Sequence, residues 1–133
     1  MSSSAGLSEG SLAALQHLRE KREINTVTLR FAEAPGVLVP EVEGNLTQEE
    51  LVQVLPVDEP RLVAHEVCFA SPEGTRRHAQ LLIFWMPPAA GEQEEAYSAG
   101  FTELKECLPD MRVHLTARRT DQLAYRRLVA LAG

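Results

Sequence analysis

Residues that usually advertise a small protein's chemistry are scarce in this chain. Only two cysteines, Cys68 and Cys107, occur in 133 residues, too few for a disulfide framework. Read as small thiols, they suit a reducing, cytoplasmic compartment. No uninterrupted apolar run approaches the roughly 18 residues that a membrane span requires. The opening "MSSSAGLSEG" has no basic patch ahead of an apolar stretch. Neither a span nor a secretory signal is therefore expected, and the "NLT" sequon at Asn45 has no route to a glycan. The four histidines (His17, His65, His78 and His114) are scattered. HExxH, GxSxG, a Cys/His cluster at ligand spacing, a phosphate-cradling glycine loop and a dinucleotide fingerprint are all missing. His65 alternates within a strand-like run and reads as structural. Glu94 and Glu95 are adjacent acids, but the dipole favours acids at a helix start without any chemistry. No catalytic residue, metal or cofactor is expected, and a small enzyme or ligand-binding domain would need a deep polar pocket with a perturbed acid or histidine.

Positive charge is also short, and unevenly placed: the net charge is −6. Residues 32–66 carry eight acids against Arg61 alone, and residues 91–110 carry six against Lys105 alone. Residues 111–133 reverse this, with five arginines against Asp121. An acidic body argues against nucleic-acid binding, which depends on neutralising phosphates. Separate acidic and basic faces suit a partner protein of complementary charge.

What is present is a regular alternation of patterns within a 44% hydrophobic chain of one-domain length. Residues 1–7 are expected to form a flexible tail and residues 8–133 a single domain. "LSEGSLAALQHLREKRE" places Leu12, Leu15 and Leu18 at helical spacing, with Arg19 to Glu23 as a charged helix end. "NTVTLRF" alternates as a half-buried strand. "VLVPEV" reads as a second strand, confined by Pro40 to a sheet edge or an early end. "NLTQEELVQVLP" is a short helix whose Thr47 and Glu50 make a capping box. "PRLVAHEVCFA" and "HAQLLIFWM" are strands joined by a turn carrying Pro72 and Gly74. The second of these is apolar on both faces, so it belongs in the sheet centre.

"GEQEEAYSAGFTELKECL" brings Tyr97, Phe101, Leu104 and Leu108 onto one helical stripe, with Gly100 inside as a bend or close-contact point. "MRVHLTARR" is a last strand, and "TDQLAYRRLVALA" a last helix capped by Thr120, with Asp121 in its first turn. The order αββαββαβα gives a mixed α/β (α+β) class. It consists of one five-stranded sheet, largely antiparallel, with helices on both faces and the last two strands parallel through a crossover.

Four stretches, taken together at their order and spacing along the chain, resemble the actin-depolymerising-factor homology domain of the cofilin family. "LLIFWMPPAAGEQEEAY" is similar to its apolar strand, proline hinge and helix start ending in tyrosine. "YSAGFTEL" is similar to Y-A-[SG]-S-K-x-x-L, matching at Tyr97 and Leu104. "LPVDEPRLVAHEV" and "ARRTDQLAYRRL" resemble L-P-x-x-x-P-R and R-N-T-E-D-L, forms characteristic of the glia maturation factor branch, the latter matching at Arg118, Thr120 and Leu123. The resemblance covers roughly residues 8–131. It implies a non-enzymatic, monomeric regulator of the actin cytoskeleton. In the glia maturation factor form, such a protein binds the actin-related-protein (Arp) complex, dissociates filament branches and restrains nucleation. In the cofilin form, it binds actin itself and severs or depolymerises filaments.

The resemblance also implies two binding faces. The first takes in Ser2, Ser3 and Ser4 (candidates for phosphorylation as well), Arg19, Lys21 and Arg22, and Glu94, Ser98, Phe101 and Lys105 of the long helix. The second takes in Arg76 and Arg77 at the hairpin with Arg118, Arg119, Asp121, Arg126 and Arg127. The six arginines form one basic surface if the two regions are adjacent. Phe101 stands where the family has lysine. It either joins Tyr97 and Leu104 against the sheet or faces outward as an apolar anchor.

Overall fold

Residues 9–21, 24–31, 37–70, 72–109, 111 and 113–132 are described by a computed structural model. Ser2, Ser3, Ser4 and Arg22 lie outside these residues. The elements are α1 (Glu9–Gln16), continued by a wider helical turn His17–Lys21, β1 (Thr26–Phe31), β2 (Leu38–Gly44), α2 (Gln48–Val54), β3 (Arg61–Ala70) and β4 (Arg76–Trp85). A 3-10 turn (Pro88–Gln93) leads into α3 (Glu94–Cys107), followed by β5 (Val113–Ala117), a second 3-10 turn (Thr120–Leu123) and α4 (Tyr125–Ala132).

One five-stranded sheet runs in the order β2-β1-β3-β4-β5, antiparallel except for the parallel β4–β5 pair. Pro40 lies in the edge strand β2, where its missing N–H costs no ladder bond. The register slips beside it, between Thr28 and Leu29, which leaves Glu41 as the bulged residue. β4 is an inner strand but sits one place off the middle, which β3 occupies. Its two faces are apolar because each is covered. Leu82 and Phe84 join one core layer with α1 and α3, while Leu81, Ile83 and Trp85 join another with Leu51 of α2 and Leu128 of α4.

Local chemistry sets the ends of these elements. Thr47 and Glu50 exchange the reciprocal bonds of a capping box at α2, worth about 1 kcal/mol. Gly74 holds the β3–β4 turn with φ 87, a backbone conformation glycine adopts without penalty. Buried Ser11 donates to the Leu38 carbonyl at 2.7 Å, tying α1 to the start of β2.

The segment 55–61 is fastened at both ends. The Trp85 indole N–H donates to the Pro56 carbonyl at 2.7 Å. The Arg61 guanidinium, 6% exposed, forks onto Glu41 at 2.7 and 3.2 Å and reaches Glu59 at 3.1 Å and the Pro60 carbonyl at 2.7 Å. Burial alone would lower the Arg61 pKa. The bonds to Glu41 and Glu59 outweigh it, so the pKa is raised and the charge is held.

Candidate protein-docking face

α3 is aimed by the proline hinge before it. The Met86 amide still bonds the Ala117 carbonyl at 2.8 Å, so the sheet continues up to the two prolines. Pro87 is extended, and Pro88 opens the 3-10 turn at a position that needs no N–H donor. The helix expected from Gly91 therefore begins as this tighter turn and becomes α-helical only at Glu94.

Tyr97, Gly100, Phe101 and Leu104 face the sheet. Tyr97 is 4% exposed, and its hydroxyl accepts from the Phe31 amide at 3.0 Å. The Phe31 ring meets the Tyr97 ring edge-on at 4.7 Å. Gly100 is a close-contact point: a Cβ there would lie 3.2 Å from Phe31 Cζ and 3.3 Å from Leu38 Cδ1. Phe101 takes the inward alternative. It is 6% exposed, stacked 5.5 Å from Phe84, and so has no outward surface to serve as an anchor.

The outer side of α3 presents Glu95, Ser98, Thr102 and Glu106, all exposed. Five glutamates (Glu92, Glu94, Glu95, Glu103 and Glu106) surround one lysine in this stretch. Lys105 does not extend away from the helix, since its ammonium sits 5.0 Å from the centre of the Phe101 ring.

Arg118 belongs to this face. Its guanidinium bonds Glu94 at 2.9 Å, across from the first turn of α3. The bond to Arg118 holds the Glu94 carboxyl below the usual carboxylate range, and Glu94 raises the Arg118 pKa in return. The turn carrying Arg118 is tied down locally. The Gln122 side-chain oxygen accepts from the amides of Arg118 and Arg119 at 2.6 and 3.1 Å, and Arg119 pairs with Asp121 at 3.1 Å. Arg19 is part-exposed on the turn after α1, on the same side of the sheet as α3, and Lys21 ends that turn.

The six arginines are not one surface. Arg76 begins β4 and Arg118 follows β5, whose Ala117 pairs with Trp85 at the other end of β4. About 30 Å of strand separates the two sites. Arg76 instead shares a depression with Tyr125, whose hydroxyl donates to the Cys68 carbonyl, so the hairpin meets the start of α4 near Arg126. Arg77 alternates onto the α4 side with Ala79 and Leu81. Arg126 and Arg127 are exposed on α4.

A groove of about 690 Å³ lies between the start of α2, β3 and Tyr125, and His65 is among its lining residues. His65 is 2% exposed, with Nδ1 2.8 Å from Thr26 Oγ1. Burial lowers its pKa to about 4 against the opposing pull of Glu66, so it is a neutral core histidine rather than an accessible base.

One grouping has no counterpart in the linear sequence: Glu66, Cys68 and His78 converge on one face of the β3–β4 hairpin. The histidines are dispersed along the chain, but pairing Ala70 with Arg76 across the turn sets Cys68 directly opposite His78. The Pro72 and Gly74 turn signal was the available clue to that register.

A family model described as "Cofilin/tropomyosin-type actin-binding protein" matches residues 4–131. Among solved structures, Streptomyces griseoflavus cofilin superposes with a TM-score of 0.86 at 17% identity, over 96% of this chain and 96% of that one. Plasmodium berghei actin depolymerization factor 2 gives 0.82 at 17% identity, over 99% and 98% of the two chains. Glia maturation factor from Caenorhabditis elegans gives 0.70 at 19% identity, over 93% and 92%. At these identities the likeness is one of fold. No curated protein matches by sequence.

Proposed function

The chain belongs to the cofilin/tropomyosin-type actin-binding family, and on that premise we propose that it is a monomeric, non-enzymatic regulator that docks on an actin-type subunit through the outer side of α3 and the Arg118 turn. Within that class, its partner is the Arp complex at filament branches, where it promotes debranching and restrains nucleation. The observation that carries the finer reading is the electrostatics of α3. The position of the family's lysine is filled by buried Phe101, and the helix's one lysine lies over that ring amid five glutamates. Side-on filament binding of the cofilin kind depends on positive charge along this helix, and here that charge is missing. The L-P-x-x-x-P-R stretch adds no docking contact of its own through Arg61 or the Pro56 carbonyl, because both bond within the chain.

A second reading, direct binding to actin filaments with severing or depolymerisation, is favoured by Arg118, which supplies one cation at the end of the same helix. Two assays on the full chain separate them. Branch lifetimes are measured in an Arp-complex network, and cosedimentation is measured with bare filaments. Shortened branch lifetimes with no saturable cosedimentation support the Arp reading. Saturable cosedimentation with unchanged branch lifetimes replaces it with the cofilin reading, and no effect in either assay removes both.

A further inference from the structure

We propose that Glu66, Cys68 and His78 form a binding site for a zinc-class divalent ion on the β3–β4 hairpin. Glu66 and Cys68 are two residues apart on β3 and share a strand face; His78 faces Cys68 directly across the ladder. His78 Nδ1 lies 3.0 Å from Glu66 Oε2 and 3.1 Å from Cys68 Sγ, and all three donor atoms fall within 4.8 Å of one another. Bond lengths of about 2.3 Å to sulfur and about 2.1 Å to nitrogen or oxygen put tetrahedral ligand atoms roughly 3.4–3.6 Å apart. The two contacts to His78 therefore need to lengthen by only about half an ångström to admit an ion, and the Glu66 and Cys68 donors already lie within 4.8 Å of each other. Without one, a single ring nitrogen has to serve both a carboxylate and a sulfur, which one proton does poorly.

The donor set selects the ion. Thiolate with imidazole suits zinc, and the sulfur disfavours magnesium and calcium, which prefer oxygen donors. Glu66 is 8% exposed, and the Gln80 amide lies 3.4 Å from its other oxygen, which orients the carboxylate as an outer partner would. Cys68 and His78 are exposed, so the site opens to solvent, and water completes the fourth position. On binding, the Sγ–metal bond forms as the thiol proton leaves to solvent. The second cysteine does not compete. Cys107 is part-buried, and burial together with Glu103 and Glu106 raises its thiol pKa and keeps it protonated.

The test is a Co²⁺ titration of the reduced full chain, followed by displacement with Zn²⁺. One equivalent of Co²⁺ is expected to give a thiolate-to-metal charge-transfer band that Zn²⁺ abolishes, with loss of the band in Cys68→Ser and its retention in Cys107→Ser. His78→Ala is expected to weaken binding by more than tenfold, and Gln80→Leu by about tenfold. Far-ultraviolet circular dichroism confirms that each variant is folded. Absence of the band in the wild type, or its persistence in folded Cys68→Ser and His78→Ala, overturns the proposal.

Discussion

Replacing Arg61 with methionine separates a residue that builds the fold from one that binds a partner. The guanidinium makes four bonds, two to Glu41 and one each to Glu59 and the Pro60 carbonyl. Breaking a fully buried ion pair costs about 3–5 kcal/mol, because the surviving charge is stranded. Here the survivors are the glutamates, whose side chains are 34% and 54% exposed, so water recovers much of their solvation. The expected loss is therefore about 2–3 kcal/mol. With an unfolding entropy near 2.1 cal/mol/K per residue, a chain of this length loses about 0.3 kcal/mol per degree, and Tm should fall by about 7–11 °C. Differential scanning calorimetry measures the shift. Glu41→Gln made alone and together with Arg61→Met isolates the coupling, and the double variant should cost less than the two single losses added. Branch-lifetime assays well below Tm should show unchanged activity. A Tm shift below about 2 °C, or a stable variant that has lost its activity, would refute the assignment of Arg61 to the fold.

Other residues lend themselves to equally direct checks. His65 has a folded pKa lowered to about 4, so above pH 6.5 its neutral form costs nothing in either state. Below pH 6.5 the unfolded chain takes up a proton that the fold refuses, and stability falls until about pH 4. The loss is about 2 kcal/mol between pH 6.5 and 5, and about 3 kcal/mol in full. Urea titrations of wild type and His65→Gln at those two pH values should differ by that slope, and parallel slopes would contradict it. Phe101→Ala should cost about 3–4 kcal/mol by emptying the space against Phe84. A variant as stable as wild type would show that Phe101 is not core. Gly100→Val should lose about 2–3 kcal/mol in chemical denaturation, since even its Cβ meets Phe31 and Leu38 at 3.2 and 3.3 Å. A neutral result would show that those neighbours yield.

Much of this architecture is legible in the sequence because it is written in short-range terms. The period of Val27, Leu29 and Phe31 fixes a strand, Pro40 keeps β2 at the edge, and Thr47 with Glu50 starts α2. The stripe from Tyr97 to Leu104 marks which side of α3 is buried, but it leaves both alternatives for Phe101 open, and packing against Phe84 decides for the inward one. What sequence reading missed depends on distant pairing. The sheet order that puts β3 rather than β4 in the middle follows from β1 pairing on one side of β3. Arg118 is grouped by sequence with the C-terminal arginines, but the parallel β5 delivers it to Glu94 at the opposite end of β4 from Arg76. The ten-position separation of Cys68 and His78 hides a direct cross-strand pair. The tight turn at Pro88–Gln93 was missed for a local reason, since periodicity alone does not distinguish a 3-10 start from the first turn of an α-helix.

The outer side of α3 is proposed to meet a protein of the actin type. A photo-reactive amino acid placed at Ser98 or Thr102, both exposed on α3, and at Glu43, exposed on β2, tests it in mixtures with the Arp complex and with actin. Cross-links to an Arp or actin subunit are expected from the two α3 positions and none from Glu43. Cross-links from Glu43 with none from α3 would contradict it.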